Sequence, residues 1–269
     1  MIHPDIDGFR DHLLSLERTK NTIDSYIEGL WQYFARFSDI SAENVLAFKQ
    51  HLMQKFKPKT CNVRLNAIKA YAKFLGMEPL KVKGIKIGKA LSVENVISPK
   101  EFKQLCDGLK ADGKLRGYWI VMFLAKTGAR VSEFCRFTKT GLEHGYEEIW
   151  TKGKIRRIYF PSFLIKDSRE YFASVPGHLL FPSRFNKQMT SRGVSSNLQK
   201  WGAMYGIRKE VMHPHGFRHF YAKEFLKNSN DLTLLSDLLG HESLDTTALY
   251  TRKTRSEMTI ELSRIMGGM

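Results

Sequence analysis

The chain has 269 residues, 42% hydrophobic and 26% charged, with 43 Lys and Arg against 27 Asp and Glu and a formal net charge of +16. Such a chain can build two domains with proper cores, and its positive surplus fits a polyanion, because each neutralised phosphate releases condensed counterions; a solvated lysine-rich surface is the bland alternative. Cys61, Cys106 and Cys135 are too scattered for a zinc site or a disulfide framework, the run Tyr118–Ala125 is too short to span a bilayer, and Met1–Asp5 lacks a basic-then-apolar leader, so a cytoplasmic protein is expected.

The first 76 residues read as helices, beginning near Asp5. Thr22 is a plausible N-cap for a helix with Ile23, Tyr26, Ile27, Leu30, Phe34 and Phe37 on one face. Ser41 opens a second with Val45, Phe48 and Leu52, and Thr60 a third with Val63, Ala67, Tyr71, Phe74 and Leu75, which Gly76 stops. Those aromatic stripes are read as core.

Charge changes character after Gln54. Lys55, Lys57, Lys59, Arg64, Lys69, Lys73, Lys81, Lys83, Lys86 and Lys89 face a single acid, Glu78, and form the candidate DNA-binding set. Lys81 to Lys89 has two glycines and no helical or strand bias. It reads as a linker able to follow a phosphate backbone, or merely a solvated one.

Ser98-Pro99-Lys100-Glu101 is a capping box with proline at the first helical position, and it opens a new domain. Gly117 to Ala125 reads as a helix buried on all sides. Glu147 to Phe160 alternates as a two-stranded hairpin turning at Lys152-Gly153, and from about Ser195 the pattern is again helical, with Gly240 as a stop. The division expected is 1–80 helical core-binding domain, 81–97 basic linker and 98–269 catalytic domain: mainly α, with one small β-hairpin.

Three boxes carry the chemistry: Thr127-Gly128-Ala129-Arg130-Val131-Ser132-Glu133, then His215-Gly216-Phe217-Arg218-His219, then Leu239-Gly240-His241 with Tyr250 nine positions on. Arginine forks grip phosphate oxygens, and a tyrosine hydroxyl can attack phosphorus. Glu133 lies three residues after Arg130, and His215 three before Arg218, so each pair shares a helical face. His213, His219 and Tyr221 are read as structural.

In that order, and with a helical basic region ahead of them, these boxes resemble the tyrosine recombinases, the integrase and Xer-type site-specific enzymes. The resemblance covers nearly the whole chain. It implies that Arg130 and Arg218 bind the scissile phosphate, that His215 serves it by proton transfer or hydrogen bonding, that His241 donates a hydrogen bond to a non-bridging oxygen, and that Glu133 supports them. Tyr250 is the implied nucleophile. A lysine on the hairpin protonates the leaving 5′-oxygen, with Lys152 favoured over Lys154 because Arg157 stands five residues after Lys152.

The implied reaction makes a 3′-phosphotyrosyl bond and a Holliday junction, on two double-stranded DNA recombination sites held by a homotetramer in the nucleoid. It calls for neither cofactor nor metal, since bond energy is kept in the linkage. The start of the first helix near Asp5 is expected to leave no arm-binding domain, favouring an Xer-like resolvase or a compact mobile-element enzyme. A type IB topoisomerase and a catalytically silent DNA-binding regulator are the rival readings; the target sequence and any accessory protein stay open.

Overall fold

The computed structural model describes residues 5–88, 93, 95–151, 154–241, 243–252 and 255–267. The chain divides into two units, residues 1–89 and 90–269.

The first unit has four helices: α1 (Ile6–Ser15), α2 (Lys20–Phe34), α3 (Ala42–Lys55) and α4 (Pro58–Phe74). Asp5, Thr19 and Ser41 cap the first three by accepting backbone N–H groups with their side chains. The cap of α2 is thus Thr19, three residues before Thr22, and the helix starts at Lys20. Helix α4 starts at Pro58 rather than Thr60, because proline suits the first helical position. Gly29 lets α2 approach α4 closely: a Cβ there would sit 3.2 Å from Ala67 Cβ and 3.3 Å from Arg64 Cα. Phe9, Tyr71 and Phe74 meet in the core, as do Tyr33, Phe37 and Phe48, and Phe34 joins the two groups.

The basic segment after α4 forms no helix or strand, yet it is not loose. Leu80, Val82 and Ile85 pack on the helical core. Asn62 holds the Ile85 peptide twice, its Oδ1 accepting from the Ile85 N–H (2.7 Å) and its Nδ2 donating to the Ile85 carbonyl (2.9 Å), while Lys49 donates to the Lys83 carbonyl. Lys81, Lys83 and Lys86 are exposed along this strap.

The second unit opens with α5 (Pro99–Ala111), whose capping box joins Ser98 and Glu101 as expected. Helix α6 (Leu115–Thr127) is buried along most of its length, as its apolar run requires, and ends where Gly128 turns left-handed at φ 61°. Short helices α7 (Val131–Phe134) and α8 (Lys139–His144) lead into the antiparallel hairpin β1 (Tyr146–Thr151) and β2 (Lys154–Tyr159). Its last pair, Thr151 with Lys154, brackets Lys152 and Gly153, which lie outside the described residues.

Then follow α9 (Ser162–Ser174), α10 (Ser191–Met204), a 3₁₀ turn at Lys209–Val211, α11 (Pro214–Asn228), α12 (Leu232–Leu239), α13 (Leu244–Ala248) and α14 (Arg255–Met266). Phe123 of α6 anchors the core, its ring within 5.4–6.2 Å of Phe137, Phe160, Phe172 and Phe181. Among the described residues, no helix is long and apolar enough to cross a membrane.

Candidate active site

The end of α12 organises the candidate site. The last carbonyls of a helix have no intrahelical partner and carry the negative end of its dipole. Here three consecutive ones each receive a guanidinium: Leu238 from Arg156 (2.8 Å), Leu239 from Arg218 (2.6 Å) and Gly240 from Arg130 (2.9 Å). Residues far apart in sequence therefore converge on one helix terminus. Gly240 permits it, with φ 60° and a Cα so close that a Cβ would stand 2.5 Å from Arg156 Nε.

Arg130 precedes α7, and Glu133 lies in its first turn. The Glu133 carboxylate accepts from the Arg130 backbone N–H (2.7 Å), from Arg130 Nη1 (3.0 Å) and, through both oxygens, from Arg156 Nη1. Burial drives its pKa up, but the Arg156 charge and these hydrogen bonds outweigh that and leave it below the ordinary value. Arg218, on α11, also donates to the Gly128 carbonyl (2.7 Å) and is only 2% exposed. Burial first, then the charges of Arg130 and Arg156, bring its pKa down to about 10. Three guanidinium charges against one carboxylate leave a surplus of two positive charges, and Arg130, 43% exposed at its side chain, brings that surplus to the surface.

The histidines divide by task. His213 caps α11, its Nδ1 accepting the Gly216 N–H. His215 is exposed one turn before His219, and the two rings meet edge to face at 4.1 Å. His241 is bonded through Nδ1 to the buried Thr247 hydroxyl (2.7 Å). Burial, then Arg218, Arg130 and Arg156, lower its pKa to about 4, so it stands neutral at pH 7. Tyr250, just after α13, is 6% exposed, and burial raises its phenol pKa against the opposing pull of Arg218. Its hydroxyl lies 2.8 Å from His219 Nδ1, and its ring is nearly parallel to that of His241.

The structure thus brings Arg130, Glu133, Arg218, His241 and Tyr250 together, with His215 beside them. Lys152 lies outside the described residues, as does Lys89. Of the remaining basic set, Lys55, Lys57, Lys59 and Lys73 are exposed and Lys69 half-buried, all on the first unit. Arg64 instead lies over the Phe56 ring at 3.9 Å, with Nε and Nη1 buried and lacking a hydrogen-bond partner among the described residues. No group of three or more His, Cys, Asp or Glu able to hold a metal occurs among the described residues.

Two residues escaped the sequence reading. Arg156 reaches Glu133, whereas Arg157, singled out by its spacing from Lys152, pairs on the outer face with Glu148 and lies over Tyr146. Strand alternation carried the signal, since Arg156 pairs with buried Ile149 and shares a face with buried Ile158. His219, read as structural, touches the Tyr250 hydroxyl. Its position four residues after His215 already put both on one face of α11.

Known proteins give the same picture. The Phage integrase family matches residues 95–257. Tyrosine recombinase XerA of Pyrococcus furiosus is 30% identical over 271 residues, covering 96% of this chain and 93% of that protein. Tyrosine recombinase XerD of Rhizobium meliloti is 30% identical, covering 89% and 88%. In fold, the chain is similar to a XerA recombinase crystal structure (TM-score 0.55, 23% identity, 96% of each chain). It is also similar to a lambda integrase dimer bound to a COC′ core site (TM-score 0.73, 16% identity, 94% of this chain and 77% of that one). A three-arginine cluster beside a buried tyrosine, and relatives that match almost end to end, lead to one conclusion: the chain belongs to the phage integrase family and is a tyrosine recombinase of the Xer type.

Proposed function

We propose that this chain cleaves and rejoins double-stranded DNA at a specific site through a 3′-phosphotyrosyl bond to Tyr250, exchanging strands by way of a Holliday junction. The observation that carries the reading is the buried Tyr250, its phenol under the pull of Arg218 and its ring against His241, next to the helix end on which Arg130, Arg156 and Arg218 converge. The phosphorane formed by attack on a phosphodiester bears an extra negative charge, and a preorganised surplus of two positive charges favours it over the ground state. Arg130 and Arg218 hold the non-bridging oxygens, and loss of either costs about 3 kcal/mol of transition-state stabilisation. Arg156 and Glu133 fix Arg130 in place. His215 and His241 contribute hydrogen bonds to the same phosphate, and a hairpin lysine, Lys152 ahead of Lys154, protonates the leaving 5′-oxygen.

The first unit and its strap supply charge for the DNA backbone through Lys55, Lys57, Lys59, Lys69, Lys73, Lys81, Lys83, Lys86 and Lys89, while Arg64 braces the Phe56 ring. Four copies assemble on two sites and work in the nucleoid. A topoisomerase would use the same chemistry without exchanging partners, and a silent regulator has no need of an assembled site; relatives named as recombinases favour exchange.

The test is Tyr250→Phe on a nicked suicide duplex whose sequence the protein has selected from a random duplex pool. The variant binds as the parent does but leaves no covalent adduct on a denaturing gel. A persistent adduct overturns the reading.

A further inference from the structure

Strand cleavage by Tyr250 requires that the phenol lose its proton as the oxygen bonds to phosphorus. Burial raises the phenol pKa, so the ground state is protonated. The nearest observed partner of the hydroxyl is His219 Nδ1 at 2.8 Å, within direct transfer distance. His219 lies on α11, the helix that also carries Arg218, and its ring is 5.5 Å from the tyrosine ring, centroid to centroid. Helix α11 therefore fixes the histidine, while Tyr250 sits in the turn after α13.

We propose that His219 is the base that takes the Tyr250 proton during cleavage and returns it during rejoining. The inference rests on the reading of Tyr250 as nucleophile. In the forward step the Tyr250 oxygen bonds to phosphorus, its proton passes to Nδ1, and the bond from phosphorus to the 5′-oxygen breaks. That oxygen collects its proton from the hairpin acid. In the reverse step an incoming 5′-hydroxyl gives its proton to the conjugate base of that acid and attacks phosphorus. The tyrosine oxygen leaves and recovers the proton from the His219 imidazolium. Protons balance over the cycle, and no co-reactant is needed.

The surroundings make this base depend on substrate. Without DNA, burial and the charges of His215, His213, Arg218 and His241 hold His219 at a pKa of about 3, so it is neutral. Neutral imidazole with its proton on Nε2 offers Nδ1 as the acceptor that a phenol O–H requires. A phosphodiester arriving at Arg130 and Arg218 brings negative charge that offsets the cations opposing protonation of His219. The base thus gains strength where and when a phosphate is bound, and the phenol of the free enzyme keeps its proton.

Proton transfer is separable from positioning. His219→Asn retains an acceptor near the Nδ1 position but cannot store a proton. On the suicide duplex it should bind DNA as the parent does and form adduct about 10²–10⁴-fold more slowly. Incorporating difluorotyrosine at position 250, whose phenol ionises more readily, should recover at least about tenfold of that loss, because a more acidic nucleophile depends less on a base. Should His219→Asn melt below the assay temperature, His219→Gln takes its place in the same comparison. Cleavage at the parental rate, or slowing that difluorotyrosine does not relieve, overturns the proposal. Tyr250→Phe run alongside keeps the two readings apart: an adduct with the Phe variant removes the nucleophile assignment, whereas failure of rescue removes only the base.

Discussion

Arg156 and Glu133 form a buried ion pair that fixes the geometry of Arg130, joining β2 of the hairpin to α7. Their side chains are 12% and 4% exposed, so neither charge has water to fall back on. Removing one partner from a buried pair costs up to about 3–5 kcal/mol, and loss of Arg156 leaves Glu133 with its Arg130 contacts alone and the Leu238 carbonyl without its donor. Arg156→Ala should therefore lower the thermal midpoint and abolish cleavage. Arg157→Ala, which breaks only the exposed pair with Glu148, should change stability by less than about 1 kcal/mol. Equal effects in a thermal melt would return Arg157 to the site.

Gly240 tests the same architecture from the backbone side. Its left-handed φ and its approach to Arg156 both act against a side chain. Gly240→Ala should displace Arg156 and with it the carbonyls that Arg130 and Arg218 use. We expect a loss of about 1–3 kcal/mol from the strained backbone alone and a severe loss of cleavage with DNA binding retained. An alanine variant that cleaves at the parental rate would show that the arginines do not need this terminus.

Two half-buried histidines predict an acid-sensitive fold. His219 and His241 have folded-state pKa values of about 3 and 4, below the ordinary value near 6.5 of the unfolded chain. Between those limits the unfolded state binds more protons, so stability is intact above about pH 6.5 and is lost as pH falls below it. Glu101, at about 2, and Glu133, also lowered, stay ionised at pH 5 and do not confuse that window. The melting temperature of the DNA-free protein should fall between pH 7 and pH 5, about the range of ordinary histidine titration, and His219→Gln should flatten the fall. An unchanged slope in that variant would mean His219 titrates normally.

The parts of this architecture legible in the sequence were those set by local pattern. Ser98 and Glu101 announce α5 because a capping box is closed within four residues, and the apolar run of α6 announces its burial. The boxes around Arg130, Arg218 and His241 identify the cluster only through resemblance, since Arg130 meets the end of α12 across 110 residues of sequence and Arg218 meets Gly128 across 90. Arg156 was missed because spacing from Lys152 was followed in place of strand alternation. Asn62 was missed for another reason: an asparagine in mid-helix gives no sign that it will hold a peptide 23 residues away.

That hold bears on DNA affinity. A strap packed by Val82 and Ile85 presents Lys81, Lys83 and Lys86 from a fixed backbone. Neutralising Lys83 and Lys86 to Gln should flatten the slope of log affinity against log salt by about 1–2 units, one counterion release for each lost phosphate contact. A slope that does not change would make these lysines solvated surface.

The last prediction concerns α14. Its apolar side chains Met258, Ile260, Leu262, Ile265 and Met266 are 54–69% exposed, so they do not serve the core of their own unit. The helix is tied back by Glu257, which accepts from Lys223 of α11 through both carboxylate oxygens (2.9 and 2.8 Å). Several large apolar residues exposed on one short helix favour a partner surface, and a second copy of the chain would supply one in the proposed assembly of four protomers on two DNA sites. Docking would also give each active site a contact reporting that its neighbour is present. Deleting residues 257–269 should then leave the thermal transition and single-site binding intact while abolishing synapsis and coordinated exchange, read as loss of the slowest complex on a native gel. A truncated protein that loses its cooperative melt would place the segment in the core, and one that still synapses would leave it without a role in assembly.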